Sequence, residues 1–105
     1  RIKDGINRNG EKIAAAEVES CLLQHPDVNE AAVFAQADEH TGEAVVAVVH
    51  LRAGAFISPA DLQRHVARHL AGYKVPKSVH LRSEAMPRNP AGKLLKNALK
   101  KEYVQ

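Results

Sequence analysis

With 105 residues, 45% of them hydrophobic and 26% charged, the chain holds enough apolar material for one modest core and not for two. A formal net charge of +3 leaves anionic partners open, but two Phe, two Tyr and no Trp provide no platform for stacking bases, which argues against nucleic acid. No apolar run approaches the roughly 20 residues that span a bilayer, and the single cysteine, Cys21, excludes an internal disulfide and suits a reducing, cytoplasmic setting.

Residues 3–13 read as a short hairpin or a pair of turns. Asp4-Gly5 and Asn9-Gly10 are tight-turn signals, the second typical of hairpins, and Ile2, Ile6 and Ile13 are the apolar anchors. From Ala15 to about Gln24, the residues Ala15, Val18 and Leu22 recur at helical spacing, while Glu17, Glu19 and Gln24 fall on the other side. His25-Pro26 stops that helix. Val28 to Ala37 suits a strand, Asp38 to Gly42 a polar turn, and Ala44 to Leu51 a central strand covered on both faces. Ser58-Pro59-Ala60-Asp61 is a helix start with a capping serine and Pro at the first position. Leu62, Val66 and Leu70 form its stripe and Gly72 its stop. Ser78 to Arg82 reads as a third strand, and Leu94, Leu95, Ala98 and Leu99 give a closing helix its buried face. The fold class expected is α+β: a small sheet of about three strands covered by helices, with an N-terminal β-hairpin projecting from it. Residues 1–105 form one domain, and an opening of Arg-Ile-Lys-Asp without Met is what a segment of a longer protein would show.

Six histidines raise the question of a metal. His65 and His69 are four apart on one helix, but no Glu or Cys joins them at a productive spacing, so a solvated pair is expected and no metal site. His25, His50 and His80 are scattered and read as structural. Cys21 sits among Val18, Leu22 and Leu23 and reads as a buried thiol rather than a nucleophile. Ser58 is explained as a cap.

The segment Met86-Pro87-Arg88-Asn89-Pro90-Ala91-Gly92-Lys93-Leu94-Leu95-Lys96 reads differently. It places a lysine on a stiffened, Gly-containing loop at the mouth of the closing helix, where a cation and free backbone N–H groups suit a phosphate or carboxylate oxygen. Three further blocks accompany it. They are Arg1-Ile2-Lys3-Asp4-Gly5 running on to Asn9-Gly10-Glu11-Lys12-Ile13 and Glu17-Val18-Glu19; His25-Pro26-Asp27-Val28 with Gly42-Glu43; and Gly72-Tyr73-Lys74-Val75-Pro76. In this order and spacing they resemble the C-terminal domain of the adenylate-forming superfamily, from Arg1 to about Leu99, and most of all an acyl- or aryl-CoA synthetase.

The resemblance implies a mobile lid on a large N-terminal domain that binds ATP, Mg²⁺ and a carboxylic acid, with coenzyme A as the co-substrate of a second half-reaction. Lys93 matches the adenylation lysine. Arg1 matches an arginine that reaches the nucleotide ribose, and Lys3 falls at the hinge. Asn9, Gly10 and Glu11 match the loop that lines the pantetheine channel, where Gly10 would let the arm pass close to backbone. Departures are Asn89 for the usual Thr, Ala91 for Ser, Lys96 where Arg is commoner, and Ala14-Ala15-Ala16 in place of a stretch that often includes Pro. The chain by itself would then be inactive. A free-standing, non-catalytic interaction module of the same fold is the alternative, and a basic nucleic-acid binder a third reading.

Overall fold

A computed structural model describes residues 5–104. A two-residue turn at Asn9-Gly10 joins β1 (Gly5–Arg8) to β2 (Glu11–Ala14), with Arg8 paired to Glu11. Both turn residues take positive φ, 53° and 88°, the conformation that a right-twisted two-residue hairpin demands and that Asn-Gly supplies. Ile6 and Ile13 face one another across the ladder and are both buried. Ala15–Leu23 is α1. Then β3 (Val28–Asp38) and β4 (Gly42–Leu51) pair antiparallel along their length. Asp38 Oδ1 closes the turn between them by accepting the His40 and Thr41 N–H groups at 2.8 and 3.0 Å.

The helix α2 (Pro59–His69) starts on the full capping box read from the sequence. Ser58 Oγ accepts the Asp61 N–H, and Asp61 accepts the Ser58 N–H. The helix ends at His69 with Leu70 already extended, so the stop precedes Gly72, which instead opens a 3₁₀ turn over Gly72–Lys74. The strand β5 (Ser78–Arg82) runs parallel to β4, and α3 (Lys96–Tyr103) closes the fold.

The architecture is α+β, as the sequence indicates. The hairpin, however, is continuous with the sheet: Arg8 pairs with Gly42, at the edge of β4 that β3 leaves open, making one sheet of 5 strands. β4 therefore lies at the centre. Its alternate residues point to opposite faces. Val45, Ala47 and Val49 join Val18, Leu22, Leu62 and Val66 under α1 and α2. Val46 and Val48 join Ala32, Phe34, Met86 and Leu99 on the other face, under α3. This two-sided burial is why Ala44 to Val49 read as an unbroken apolar run.

Two expectations on helix faces are corrected. Leu99 is the buried residue of α3, whereas Leu95 and Ala98 are exposed and Leu94 half-buried. That helix begins only at Lys96, so its first turn excludes Leu94 and Leu95. Glu19 does not face away from the body: its Oε2 accepts the Val33 N–H at 2.8 Å and pairs with Lys96 Nζ at 2.8 Å, tying α1, β3 and α3 together. Among the described residues no helix is long and apolar enough to cross a membrane.

Candidate functional site

The segment carrying Lys93 is a closed loop in its own right. Arg88 and Leu94 form an antiparallel bridge at its base. Inside it the Asn89 N–H donates to the Lys93 carbonyl at 2.9 Å and the Gly92 N–H to the Asn89 carbonyl at 2.8 Å. Asn89 Oδ1 accepts both the Ala91 and Lys93 N–H groups, at 3.0 and 2.9 Å. Gly92 has φ of 88°, a value costly for a residue with a side chain. Met86 is buried and Leu94 half-buried in the α3-side core, and they fasten the loop's stem. Lys93 is exposed at the tip. Among the described residues no hydrogen bond or ion pair engages its ammonium.

This geometry corrects one element of the sequence reading. The lysine precedes the helix by three residues and its own N–H is taken by Asn89. What holds it is a locked loop and not the open N-terminus of α3.

Two residues outside the sequence expectation complete the loop. Arg88 Nε and Nη2 converge on Glu30 Oε2 at 3.2 and 2.6 Å, while its Nη1 donates to the Gly92 carbonyl at 2.8 Å. Glu30 Oε1 accepts the Met86 N–H at 3.1 Å and lies 3.2 Å from His50 Nδ1. Burial pushes the Glu30 carboxyl up, but the Arg88 and Met86 donors and the nearby charges outweigh it and hold the group below its ordinary value. Arg88 was visible within the motif. Glu30 lies 58 residues away, and no local pattern links the two.

At the other candidate site, Asn9, Gly10 and Glu11 are exposed at the hairpin tip. Asn7 Oδ1 accepts the Gly10 N–H at 3.0 Å, Asn9 N–H donates to the Thr41 carbonyl at 2.5 Å, and Asn7 N–H to Glu43 Oε1 at 2.7 Å. A shallow depression beside the tip is lined by Asn7, Asn9, Gly10, His40, Thr41 and Glu43 together with Gly42. Glu11 does not line it. Among the described residues nothing beyond its chain neighbours comes within 4 Å of a Cβ placed on Gly10, so what asks for glycine there is its positive φ. Arg1 and Lys3, and the Asp4 of the first turn signal, lie outside the described residues.

The structure therefore joins Asn9 and Gly10 but keeps them apart from Lys93. One loop is tied to Glu30 and the other sits beside the β3–β4 turn, where Asp38 pairs with Gly42. Eight residue steps along β3 separate those anchor points, about 26 Å at roughly 3.3 Å per step.

The remaining candidates behave as structural groups. Cys21 is buried, and burial followed by the Glu17 charge pushes its thiol up, away from nucleophile chemistry. His65 is not solvated as expected. Its Nε2 lies 2.8 Å from the Cys21 carbonyl oxygen, and its ring contacts both His25 and His69. Among the described residues no group of three or more His, Cys, Asp or Glu could hold a metal ion.

The family profile described as "AMP-binding enzyme C-terminal domain" matches residues 17–93. The chain belongs to this family. Across the AMP-binding enzyme C-terminal domains, it is similar to the vibriobactin-specific 2,3-dihydroxybenzoate-AMP ligase of Vibrio cholerae, 42% identical over 104 residues that make up 98% of this chain and 19% of the ligase. It is 40% identical to the long-chain-fatty-acid–CoA ligase FadD13 of Mycobacterium tuberculosis, over 98% of this chain and 20% of that protein. Among solved structures, the amide bond synthetase McbA of Marinactinospora thermotolerans superposes with a TM-score of 0.93 at 34% identity, covering 100% of this chain and 21% of that one. A Mycobacterium tuberculosis fatty acyl CoA synthetase gives 0.90 at 39%, with coverage of 100% and 21%. The chain thus spans about a fifth of the length of the relatives it matches.

Proposed function

We propose that this chain is the C-terminal lid of an ATP-dependent acid–thiol ligase of the acyl- or aryl-CoA synthetase kind, and that Lys93 serves its adenylation step. In that step a carboxylate oxygen of the acid attacks the α-phosphorus of ATP and pyrophosphate leaves. Negative charge gathers between the two reacting groups, and the Lys93 ammonium, held out on a locked loop, meets it there as a positioned point charge. ATP, the acid and Mg²⁺ belong to the larger domain of the enzyme, and the lid alone makes no acyl-adenylate. In the second step a thiol, that of coenzyme A, attacks the acyl carbonyl and AMP departs. The Asn9-Gly10 tip lines the approach of the pantetheine arm, Arg1 contacts the nucleotide ribose, and Lys3 is the hinge. A reducing, cytoplasmic setting suits the lone buried thiol of Cys21.

The observation that carries this reading is the separation of the two loops. Both are exposed, both are held by hydrogen bonds, and their anchors, Glu30 for one and the Asp38–Gly42 pair for the other, lie toward opposite ends of β3. A body built this way serves two half-reactions by turning, one loop facing the reacting centre at a time. The Vibrio cholerae relative is named as a 2,3-dihydroxybenzoate-AMP ligase, a name that carries the acyl-adenylate and no thiol, so the adenylation role draws broader support than the choice of thiol.

The test is ATP–pyrophosphate exchange by the full-length ligase, wild type against Lys93→Ala, over a panel of carboxylic acids, with thioester formation from supplied acyl-adenylate run in parallel. Exchange is expected to fall by about 100- to 1000-fold, the usual cost of one positioned transition-state contact, with thioester formation retained. Exchange untouched by the substitution overturns the reading.

A further inference from the structure

The locked loop explains the shape of the segment around Lys93 but not its bearing on the sheet. The bonds from Asn89 to Ala91, Gly92 and Lys93 are internal to the loop, and a loop can keep them while it tilts as a unit. Among the described residues a side-chain bridge crosses from the loop to a strand. Arg88 grips Glu30 of β3 with Nε and Nη2 and reaches the Gly92 carbonyl with Nη1. That carbonyl belongs to the peptide unit immediately before Lys93, so the guanidinium fixes the plane from which the lysine departs.

Glu30 is built to be the fixed end. It follows a register irregularity between Val28 and Glu30, a bulge of the kind that re-aims a strand side chain. It shares a face with Ala32 and Phe34 of the α3-side core. Its carboxylate accepts from Arg88 and from the Met86 N–H, with His50 Nδ1 3.2 Å away, and its side chain is 18% exposed against 45% for Arg88. A partly desolvated anchor with a charge-assisted bond is stiffer than an exposed pair.

We infer that Arg88 and Glu30 are positioning residues for Lys93: the guanidinium, anchored on Glu30, holds the Gly92–Lys93 peptide unit so that the lysine ammonium meets the adenylation centre. The inference rests on the reading of Lys93 given above, and its test separates the two.

In the full-length ligase, single-turnover acyl-adenylate formation is measured for Lys93→Ala, Arg88→Ala, Glu30→Gln and the double variant Arg88→Ala/Lys93→Ala. Thioester formation from supplied acyl-adenylate is measured beside each. Arg88→Ala is expected to slow adenylation about 10- to 100-fold, as a misplaced catalytic group does, and Glu30→Gln to slow it in the same direction. In the Lys93→Ala background Arg88→Ala should cost no more than about twofold, because the group it positions is gone. Thioester formation should stay within about twofold throughout. If Lys93→Ala is silent, the lysine reading fails whatever Arg88 does. If Lys93→Ala collapses adenylation while Arg88→Ala and Glu30→Gln are silent, the lysine reading stands and the positioning inference falls. It also falls if the Arg88→Ala loss persists at full size without Lys93, or if both half-reactions decline together, since either marks a merely structural role. Glu30→Gln, which removes a charge and no volume, carries the test should Arg88→Ala fold poorly.

Discussion

Replacing Gly10 by alanine separates conformational strain from crowding, because only strain operates inside this domain. Among the described residues a Cβ on Gly10 meets nothing within 4 Å beyond its chain neighbours, yet the residue has φ of 88°. Holding an L-residue in the left-handed region costs about 1–2 kcal/mol. The turn cannot shed that strain locally, because its two strands are pinned by buried Ile6 and Ile13, by the Arg8–Gly42 pair and by the Asn9–Thr41 hydrogen bond. The cost should therefore reach global stability, lowering Tm by about 4–16 °C at about 4–8 °C per kcal/mol for a domain of this size. A D-alanine at position 10 accepts positive φ without penalty and restricts the unfolded chain, so it should match glycine or exceed it by about 0.4–1 kcal/mol. Cys21 is the chain's one cysteine, so a synthetic 1–20 segment carrying either enantiomer can be ligated to residues 21–105 without altering the sequence. Thermal and urea unfolding followed by circular dichroism give the comparison. Equal destabilisation by both enantiomers would refute the conformational argument and point to a contact with the added methyl.

Further outcomes follow from the same structure. Lys93→Ala should leave the stability of the domain within about 0.5 kcal/mol, since among the described residues nothing engages its ammonium; urea unfolding of the chain checks that its effect on turnover is not a folding effect. The Glu30 carboxyl lies below its ordinary value, so the unfolded chain takes up that proton first as pH falls. Its stabilising contribution is complete above the unfolded value near about 4.3 and is lost as pH drops from there through the folded value, and Glu30→Gln should flatten that acid limb in urea titrations between about pH 6 and 3. Ser58→Ala should cost about 1 kcal/mol by removing the capping bond to the Asp61 N–H, read as a lower urea midpoint with unchanged m. Leu62→Ala, at a fully buried position on the inner face of α2, should cost about 2–5 kcal/mol by the same measurement.

What was legible in the sequence was whatever a short segment decides for itself. Asn9-Gly10 dictates a two-residue hairpin because the turn's dihedrals and those residues' permitted dihedrals coincide. Ser58-Pro59-Ala60-Asp61 closes a capping box within four residues. The apolar run from Ala44 to Leu51 announces a strand covered on both sides, as β4 is. What stayed hidden depends on partners far along the chain. Glu19 looks solvated on a helical wheel, but packing brings Val33 and Lys96 to it. Glu30 finds Arg88 only once β3 and the Lys93 loop meet, and the start of α3 moves to Lys96 because the Arg88–Leu94 bridge takes the preceding residues for a loop. The family motif singles out Lys93 and leaves unsaid what holds its loop.

The rigidity of β4 bears directly on the proposed alternation. If the lid deformed as it turned, the two loops would move relative to one another and each half-reaction would have to rebuild its own geometry. Val45 to Val49 are buried on alternate faces between α1 with α2 on one side and α3 on the other, and close-packed interiors of this kind resist continuous deformation. The Glu19 bonds to Val33 and Lys96 cross from one helical layer through the sheet strand to the other, and the Glu30–Arg88 bridge fastens the Lys93 loop to the same strand. A lid of this build would turn as one piece, and the hinge proposed for it, Lys3, lies outside the described residues. A stiff body with a loop at each end turns a single rotation into an exchange of one functional group for another, and it does so without strain in either loop.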